Sequence, residues 1–477
     1  MKAEWKIRSY TSEEIAKITD GILVPGSAGS RPVTGICTDS REVEPGVLFC
    51  AIVGERTDGH LYIDAACRGG ASCILAQSAV EDCPVDIVVV TDTVRAITEL
   101  AGHYRDQSPV RVVAITGSVG KTTTKEFIAA VAAAGYKTHK TEGNHNNDLG
   151  LSMTLFTLSP EDQVSVLEMG MSNAGEIRRL SDLAKPDIAV ITNIGTSHME
   201  SLGSRENICR AKLEIVSGMR EDGILLYNGD EPLLVDGAPQ AFSHLRSFSV
   251  EGRDGDYRAV NIRQSGEGML YDLISGGKVL TNVSIPTLGR HNVYNSLAAY
   301  AVGDLLGLEE DTIRGGILNF HGADRRQKIY ALGDITVIDD CYNASPESMR
   351  AALDVLSAVA ASKGQRATAL LGDMLELGEY SRLMHDQVGQ YAAEKQISRL
   401  FCYGKMADVV AEAAIKHGIR AENVFVSLDT KNPDAMAEMI LSAIQPGDVL
   451  LVKASRGVAA ENVIERLKVH FDRQEKK

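Results

Sequence analysis

Short β-branched runs alternate with helical patterns along almost the whole chain, and this alternation is the feature that most limits the fold. Strands that alternate with helices usually pair in parallel, with the helices covering the faces of the sheet. The sequence therefore predicts an α/β fold with largely parallel sheets. The predicted strands are Ile87–Val90, Val110–Ile115, Val164–Leu167, Asp187–Ile191, Thr336–Ile338, Ala367–Leu371 and Val449–Val452.

The length of the chain and two seams in its sequence predict three domains. The 477 residues exceed one ordinary core, because a domain commonly holds roughly 100–200 residues. A polar segment with a proline, Arg105–Pro109, precedes one predicted strand, and Asn319–Asp324 follows two predicted helices. The predicted domains are an N-terminal domain over 1–108, a central domain over 109–320 and a C-terminal domain over 321–477.

Charge and composition exclude several classes of protein. The 49 basic and 64 acidic residues give a formal net charge of −15, which disfavours nucleic acid or an anionic membrane as a general partner. No run approaches the ~20 apolar residues of a membrane helix, and the charged segment MKAEWKIRSYTSEE lacks the apolar core of a secretory signal. The eight cysteines include no C-x-x-C pair, so buried reduced thiols are expected. We expect a cytoplasmic protein that is not membrane-embedded and acts as a monomer.

The stretch AITGSVGKTTTK, residues 114–125, follows a predicted strand and indicates a phosphate-binding loop. The common pattern G-x-x-x-x-G-K-[ST] needs a glycine where this chain has Ile115. Backbone N–H groups and a helix N-terminus favour phosphate, Lys121 can reach a terminal phosphate, and Thr122 can hold Mg²⁺. The alternative is a tight strand-to-helix turn with glycines for geometry alone. The predicted nucleotide-binding residues are Gly117, Ser118, Val119, Gly120, Lys121, Thr122 and Thr123.

Three charged side chains follow the loop. Glu168 ends a predicted strand, where it can ligate Mg²⁺ or close a surface loop. His198 lies beyond the end of the next strand, a position at which α/β proteins bind ligands, although a lone histidine is usually structural. Lys212 lies in a helical pattern that by itself indicates a solvated charged face.

In this order, the motifs resemble those of the Mur ligases, the ATP-dependent amide-bond-forming enzymes of peptidoglycan precursor synthesis. That family uses a shortened G-x-x-G-K-T-T loop, which accounts for Ile115, and the resemblance extends over all three predicted domains. It implies ATP, two Mg²⁺ ions, and a metal site of Thr122, Glu168, His198 and a carbamylated Lys212. A neutral lysine amine can capture carbon dioxide and become an anion suited to a hard metal, so the resemblance reverses the structural interpretation of Lys212.

The segment GRHNVYNSLAA, residues 289–299, resembles the element of the family whose asparagines contact adenine. The resemblance implies that Asn292 and Asn295 bind ATP. Their spacing of three places both on one helix face. Without the resemblance, an N-capping asparagine and a surface asparagine are a credible interpretation.

Two further motifs lie in the predicted C-terminal domain. Asp324–Gln327, DRRQ, stands where the family has a Gly-Arg pair with the arginine near the γ-phosphate. We favour Arg325 for this role, and Arg326 stays open. In the stretch IDDCYNASP, the resemblance implies an aspartate near the nucleotide, for which we favour Asp340 over Asp339.

Both ends of the chain indicate the branch of the family. Thr38–Arg41 and Thr57–His60 resemble the UDP-binding domain of the members that add the third residue or the final dipeptide. Glu142–Gly150 and Leu371–Gly378, together with His385, resemble the members that add D-alanyl-D-alanine. The implied UDP-precursor-binding residues are Ser40, Arg41, Asp58, Gly59, His60, Asn146 and Asn147. The implied residues on the D-Ala-D-Ala side are Asn343, Ser345, Lys453 and Ser455.

The resemblance therefore implies a ligase that joins D-Ala-D-Ala to UDP-N-acetylmuramoyl-tripeptide through an acyl phosphate. It implies a small α/β UDP-binding domain, a central P-loop domain and a Rossmann-like C-terminal domain. The alternatives are a third-residue-adding Mur ligase, a folylpolyglutamate-type ligase, a P-loop switch or transport ATPase, and an inactive scaffold. The implied catalytic residues are Lys121, Glu168, His198, Lys212 and Arg325.

Overall fold

A computed structural model describes residues 6–54, 57–252 and 254–475 of the chain. The first five residues of the segment tested for a secretory signal lie outside these ranges. Within the described ranges the chain forms 21 strands and 16 α-helices, and the strands form three sheets. The predicted α/β class is confirmed, and each of the seven predicted strands is present with its ends shifted by no more than one residue.

The first sheet contains six strands, and three helices accompany it. They are β1 (Lys6–Tyr10), α1 (Ser12–Ile18), β2 (Ile22–Val24), β3 (Val33–Cys37), β4 (Val47–Cys50), α2 (Ile63–Gly69), β5 (Cys73–Ala76), β6 (Asp86–Val89) and α3 (Thr93–Asp106). The strand order is β1-β3-β4-β5-β6-β2. The four inner strands are parallel, and the two edge strands are antiparallel to their neighbours.

The central sheet has nine strands. They are β7 (Arg111–Thr116), β8 (Thr138–Lys140), β9 (Val164–Glu168), β10 (Ile188–Ile191), β11 (Ile224–Asn228), β12 (Leu245–Ser249), β13 (Tyr257–Ser265), β14 (Gly268–Ser275) and β15 (Lys278–Ile285). The order is β15-β14-β13-β12-β11-β10-β7-β9-β8. The strands from β8 to β13 are parallel, whereas β13, β14 and β15 form an antiparallel meander that the sequence analysis did not predict.

Eight helices belong to the central region. They are α4 (Lys121–Ala133), α5 (Asp148–Leu155), α6 (Glu176–Ala184), α7 (Met199–Leu202), α8 (Arg205–Leu213), α9 (Pro232–Ala241), α10 (Arg290–Leu305) and α11 (Glu310–Leu318). Helices α4 and α10 cover one face of the sheet, where Phe127 and Val131 share a buried core with Leu297 and Ala301. This packing brings the N-termini of α4 and α10 together at the candidate site.

The third sheet has six strands, with five helices. They are β16 (Lys328–Leu332), β17 (Ile335–Asp339), α12 (Pro346–Lys363), β18 (Ala367–Gly372), α13 (Ser381–Glu394), β19 (Arg399–Tyr403), α14 (Ala407–Lys416), β20 (Val424–Ser427), α15 (Pro433–Ala443), β21 (Val449–Lys453) and α16 (Glu461–Glu475). The order is β16-β17-β21-β18-β19-β20, and only β16 is antiparallel to its neighbour among these strands.

The predicted domain boundaries stay predictions. The boundary at 108/109 lies between α3 and β7, and that at 320/321 lies between α11 and β16. One hydrophobic core continues across the first boundary, because Leu100 and Tyr104 of α3 pack with residues of α5 and α6.

Membrane-spanning helices and disulfides were tested as well. No helix within the described ranges has both the length and the apolar character to cross a membrane. All eight cysteines are free, and six of them are buried, as expected for reduced thiols.

Candidate active site

The loop between β7 and α4 is shaped by two glycines with positive φ. Gly117 has φ 152°, and a Cβ atom there would lie 1.8 Å from Oγ1 of Thr192. Gly120 has φ 82° and precedes the first residue of α4, Lys121. Within the described structure no side chain caps α4, so the N–H groups of its first turn stay available to an anion.

Ile115 belongs to the strand and not to the loop. Its side chain is fully buried, and it pairs in register with Glu168 of the neighbouring strand β9. The turn therefore begins only at Gly117, which explains why this loop is shorter than the common pattern.

A neighbouring strand end fixes the loop from one side. The N–H of Ser118 donates to the carbonyl of Asn193 at 3.1 Å, and the N–H of Val119 donates to Oδ1 of Asn193 at 2.9 Å. Oγ1 of Thr192 donates to the carbonyl of Val119 at 2.7 Å. Thr192 and Asn193 were missed as site residues, although they follow a predicted strand directly.

Lys121 is the cation at the centre of the candidate site. Its Nζ donates to the carbonyl of Gly117 at 2.8 Å. Burial lowers the pKa of Lys121, while the charges of Glu168 and Glu376 raise it and that of Arg326 lowers it further. Acidic and basic groups from the central and C-terminal regions therefore act on the same ammonium group.

Glu168 offers one unused carboxylate oxygen. Oε1 accepts a hydrogen bond from Nδ2 of Asn146 at 2.9 Å, whereas the buried Oε2 finds no partner among the described residues. A buried carboxylate oxygen without a donor fits a cation ligand. Asn146, predicted to bind the UDP precursor, here orients Glu168, and Asn147 caps α5 by accepting from the N–H of Gly150 at 2.8 Å.

Lys212 is buried within α8, with 1% of its surface exposed, and this contradicts the solvated-face interpretation. Its ammonium has no hydrogen bond or ion pair within the described part of the chain. Burial lowers the pKa of Lys212 well below its ordinary value, and the charge of Lys121 lowers it further. Burial therefore favours the neutral amine of Lys212, which is the form that reacts with carbon dioxide.

His198 precedes α7 with a left-handed backbone, φ 65°. Its Nδ1 lies 2.7 Å from Oε2 of Glu376, which belongs to the loop after β18 in the C-terminal region. The hydrogen bond from His198 is the main cause that lowers the pKa of Glu376. No three His, Cys, Asp or Glu side chains of the described residues form a group that could hold a metal ion, so the metal set stays a prediction.

A chain of amide side chains connects the loop helix to the C-terminal region. Oγ1 of Thr124 donates to Oδ1 of Asn295 at 2.9 Å, and Nδ2 of Asn295 donates to Oδ1 of Asn292 at 2.9 Å. Nδ2 of Asn292 then donates to Oε1 of Gln327 at 3.1 Å. Both predicted adenine-site asparagines are thus buried and fixed in orientation.

The two candidate arginines point to different places. Nη1 of Arg325 lies 2.7 Å from Oε1 of Glu461, and Arg325 does not line the cavity described below. Arg326 lies over the ring of Tyr342, 4.2 Å from its centroid, and does line that cavity. This geometry favours the alternative Arg326 over Arg325, because Glu461 holds the Arg325 guanidinium outside the cavity, and the role near the γ-phosphate stays a prediction.

Asp340 and Asp339, the two candidate aspartates, also have different surroundings. Oδ2 of Asp340 lies 2.6 Å from Nζ of Lys453, and its Oδ1 accepts from the N–H of Gln327 at 3.1 Å. Asp339 is buried and accepts from Sγ of Cys341 at 2.9 Å. Asp340 is therefore the aspartate that faces the candidate site.

A cavity of about 1040 Å³ lies between the central and C-terminal regions. One wall carries the loop and the start of α10. The other wall carries the segment that leads into β16, part of β16 itself and the segment after β17. The lining side chains used below are Lys121, Thr122, Asn295, Arg326, Asp340 and Asn343.

The side chains predicted for D-Ala-D-Ala already have intramolecular partners. Ser345 caps α12 by accepting from the N–H of Ser348, and Nζ of Lys453 donates to the carbonyl of Asn343 at 3.0 Å. Oγ of Ser455 accepts from the N–H of Leu375 at 3.0 Å. Their predicted role in binding the dipeptide stays a prediction.

The predicted UDP-precursor residues of the first sheet lie in two turns. Oδ1 of Asp58 accepts from Nδ1 of His60 at 2.6 Å, and Nε2 of His60 accepts from the N–H of Gln77 at 2.8 Å. Both ring nitrogens of His60 are therefore engaged within the fold. Arg41 is exposed and pairs with Asp39, beside Ser40. At Gly59 a Cβ atom would lie 2.6 Å from the backbone nitrogen of Ile52.

Three family profiles match consecutive parts of the chain. They are the Mur ligase family catalytic domain over 32–112, the Mur ligase middle domain over 115–303 and the Mur ligase glutamate ligase domain over 324–456. The chain is 39% identical over 461 residues to the UDP-N-acetylmuramoyl-tripeptide--D-alanyl-D-alanine ligase of Bacillus subtilis, covering 96% of this chain and 98% of the relative.

Solved structures resemble the whole chain as well. MurF from Acinetobacter baumannii superposes with a TM-score of 0.88 at 30% identity, covering 97% of this chain and 100% of that one. MurF from Thermotoga maritima in complex with ADP gives a TM-score of 0.81 at 28% identity, covering 92% and 98%. With matching profiles in all three regions and a relative matched over nearly its full length, this chain belongs to the Mur ligase family.

Proposed function

We propose that this chain is the ATP-dependent ligase that joins D-alanyl-D-alanine to UDP-N-acetylmuramoyl-tripeptide. The relative from Bacillus subtilis carries the name of that activity and matches 96% of this chain. The observation that carries the proposal is the shared cavity, in which Lys121 of the loop faces Arg326 and Asp340 of the C-terminal region. Such a cavity suits a reaction that brings a nucleotide and a second substrate together.

The chemistry follows from the poor reactivity of a carboxylate. A carboxylate oxygen of the tripeptide attacks the γ-phosphorus of ATP, the bond from γ-phosphorus to the bridging oxygen breaks, and ADP leaves. The amine of D-Ala-D-Ala then attacks the acyl carbon of the acyl phosphate. The amine loses a proton, the bond from the acyl carbon to the phosphate oxygen breaks, and inorganic phosphate leaves.

The residues of the loop and the opposite wall have separate roles in this scheme. The free N–H groups at the start of α4 and the ammonium of Lys121 bind phosphate oxygens and offset their charge. Arg326 approaches from the other wall and stabilises negative charge on the transferring phosphoryl group. The fixed amides of Asn292 and Asn295 bind the adenine.

The donor set fits a divalent cation on one observation, the buried and unpartnered Oε2 of Glu168. We propose that Thr122, Glu168, His198 and a carbamylated Lys212 hold two Mg²⁺ ions. Magnesium, when bound, neutralises phosphate charge. Lys212 is buried and has no hydrogen bond or ion pair among the described residues, which supports carbamylation, because the modification converts the amine into an anion suited to a hard metal.

The first sheet is proposed to bind the UDP precursor, through Ser40, Arg41 and the Asp58–His60 turn. The C-terminal region is proposed to hold D-Ala-D-Ala near Asn343, Ser345, Lys453 and Ser455. The domains 1–108, 109–320 and 321–477 then correspond to the precursor, the nucleotide and the dipeptide. We expect a cytoplasmic monomer that acts on these small molecules.

One assay tests the proposal against its rivals. Release of ADP is measured with UDP-N-acetylmuramoyl-tripeptide and D-Ala-D-Ala, together and singly, and the product is weighed by mass spectrometry. We expect ADP release that requires both substrates and yields the pentapeptide precursor. Activity with the dipeptide precursor and a single amino acid indicates a third-residue-adding ligase, and activity with folate and glutamate indicates a folylpolyglutamate-type ligase. ATP hydrolysis indifferent to every substrate indicates a switch or transport ATPase.

A further inference from the structure

Two acidic residues of the C-terminal region contact one short segment of the central region, Gly195–Glu200. Oε1 of Glu347 accepts from both the N–H and Oγ1 of Thr196, each at 3.0 Å. The carboxylate of Glu376 lies 2.7 Å from Nδ1 of His198, and its backbone carbonyl accepts from the N–H of Glu200 at 3.4 Å. The segment that carries the candidate metal ligand His198 is therefore held by the opposite region of the chain.

The loop that presents Glu376 is fixed from behind. The N–H of Met374 donates to Nε2 of His385 at 2.9 Å, and the N–H of Leu375 donates to Oγ of Ser455 at 3.0 Å. Just before them, the carboxylate of Asp373 accepts from the N–H groups of Lys405 and Met406 at 2.8 and 2.9 Å. These bonds connect the loop to the segment after β21, to α13 and to the segment before α14, so the C-terminal region presents Glu376 in a defined position.

Both partners of the contact have an uncommon backbone conformation. His198 has φ 65° and Glu376 has φ 63°, which non-glycine residues rarely adopt. Such conformations persist where surrounding contacts hold them, and they concentrate at functional sites. The loop bonds of Glu376 and the interface contacts of the His198 segment are contacts of this kind.

We propose that Glu376 is a positioning residue that the C-terminal region supplies to His198. The proposal rests on the proposed function, in which His198 belongs to the metal site. Nδ1–H of His198 donates to Glu376, which fixes the tautomer and leaves the Nε2 lone pair free. No hydrogen bond or ion pair to Nε2 is found in the described part of the chain. Metal-bound histidines commonly use their second nitrogen in this way.

In this arrangement, the geometry of the candidate metal site depends on the contact between the central and C-terminal regions. When the C-terminal region separates from the central region, His198 loses the carboxylate that orients its ring. The cation-binding geometry is therefore complete only in the docked arrangement. The charge of Glu376 also raises the pKa of Lys121, so the carboxylate that contacts His198 acts electrostatically on the loop lysine as well.

The test measures Mn²⁺ affinity by electron paramagnetic resonance of free Mn²⁺, in the presence of a non-hydrolysable ATP analogue. We compare the wild type with Glu376→Ala, Glu376→Gln and Glu379→Gln. Glu379 is exposed on the same loop, and no ion pair involves it within the described residues, so Glu379→Gln controls for the lost charge. Loss of an outer partner of a metal ligand typically weakens affinity about 10–100-fold.

We expect Glu376→Ala to weaken Mn²⁺ binding by that factor and Glu376→Gln to recover part of it, because the amide oxygen accepts the same hydrogen bond. Glu379→Gln keeps the wild-type affinity. In turnover assays, the Mg²⁺ concentration for half-maximal rate rises in Glu376→Ala, while the KM for the UDP precursor stays unchanged. A merely structural role of Glu376 does not produce this split.

A second pair of variants keeps the test decisive if Glu376→Ala does not fold. A Cβ atom at Gly378, φ 53°, would lie 3.2 Å from Cα of Glu200, so the loop and the His198 segment must shift apart there by a few tenths of an ångström. At Gly364, φ 62°, a Cβ atom would meet no described atom within 4 Å. We expect Gly378→Ala to weaken Mn²⁺ binding and Gly364→Ala to leave it unchanged.

The outcomes separate the two proposals. A wild type that binds no Mn²⁺ overturns the metal site of the proposed function. A wild type that binds Mn²⁺, with Glu376→Ala or Gly378→Ala binding equally well, overturns the role of Glu376 and leaves the proposed function intact.

Discussion

Nζ of Lys121 is hydrogen-bonded to the carbonyl of Gly117, 2.8 Å away within the same loop. Lys125 lies four residues after Lys121 on the same helix, α4. Its Nζ donates to the carbonyl of Thr141 at 2.7 Å and lies 3.0 Å from Oε1 of Glu126. Among the described residues, the hydrogen bond of Lys121 therefore stays within its own loop, whereas Lys125 connects α4 to a neighbouring strand end. The two lysines are a natural pair for separating catalysis from folding.

We expect Lys121→Met to reduce ADP release by on the order of 10²–10³-fold, the usual loss on removal of one charge-stabilising donor. Its melting temperature stays near that of the wild type. Lys125→Met instead lowers the melting temperature, because the Thr141 carbonyl loses a buried donor and the half-buried Glu126 keeps only Lys140 of its two lysine partners. Its activity per folded molecule is retained. Near-normal ADP release by Lys121→Met would refute the role of the loop lysine.

The glycine that begins the loop helix offers a second matched pair. Gly120 and Gly175 precede α4 and α6 with φ 82° and 84°. Alanine at either position adds roughly 1–2 kcal/mol of backbone strain. At Gly120 the Cβ atom would also lie 3.0 Å from Oδ1 of Asn295, whereas at Gly175 it would meet no described atom within 4 Å.

We therefore expect both Gly120→Ala and Gly175→Ala to lose unfolding free energy in urea titrations, with the larger loss at Gly120, where the added Cβ atom also meets Asn295. Only Gly120→Ala loses affinity for ADP in isothermal titration calorimetry. Equal ADP affinities for the two variants would contradict a nucleotide site at this loop.

Lys212 is the test of the proposed carbamate. We expect Lys212→Ala to lose activity by on the order of 10²-fold or more, and a short carboxylic acid to restore part of it by filling the vacated anionic position. The same acid leaves Lys121→Met inactive. With ¹³C-bicarbonate, the wild type gives a carbamate signal in nuclear magnetic resonance that Lys212→Ala lacks. Full activity of Lys212→Ala without added acid would count against carbamylation.

We expect the buried side chain of His385 to make the unfolding free energy of the protein sensitive to acid. Burial lowers the pKa of His385 below its ordinary value, and Nε2 accepts from the N–H of Met374. The folded state therefore binds fewer protons than the unfolded state as pH falls through about 6.5, so unfolding free energy is lost with acidification.

Urea unfolding at pH 7.5 and 5.5 checks this expectation. We expect the wild type to lose on the order of 1 kcal/mol more than His385→Gln between the two pH values. His139 and His291, whose pKa values burial also lowers, are present in both proteins and cancel in the comparison. Equal losses for the two proteins would show that His385 does not set the acid response.

Local patterns were sufficient to predict seven of the 21 described strands and the loop, because β-branched runs and glycines act over a few residues. The burial of Ile115 and Lys212 depends on neighbours far along the chain. The sequence of its own helix alone predicts a solvated Lys212, yet only 1% of its surface is exposed in the fold. Only the family resemblance indicated its importance.

The choice between Arg325 and Arg326 also depends on a contact that local sequence does not reveal. The two are adjacent, and only the position of Glu461, 136 residues away, determines which guanidinium enters the cavity. Glu347 and Glu376 escaped prediction for a similar reason, because their contacts join separate regions of the chain. The meander of β13 to β15 was missed since its exposed strands lack long β-branched runs.

The hydrogen bond between Thr124 and Asn295 spans 171 residues of sequence. During synthesis at about 5–20 residues per second, roughly 9–34 s therefore separate the emergence of α4 from that of its partner α10. Throughout that interval the apolar face of α4, with Phe127 and Val131, has no α10 to cover it. Exposed apolar surface of this kind favours aggregation of a nascent chain, and Thr124 can pair with Asn295 only after the last strand of the central sheet has been synthesised.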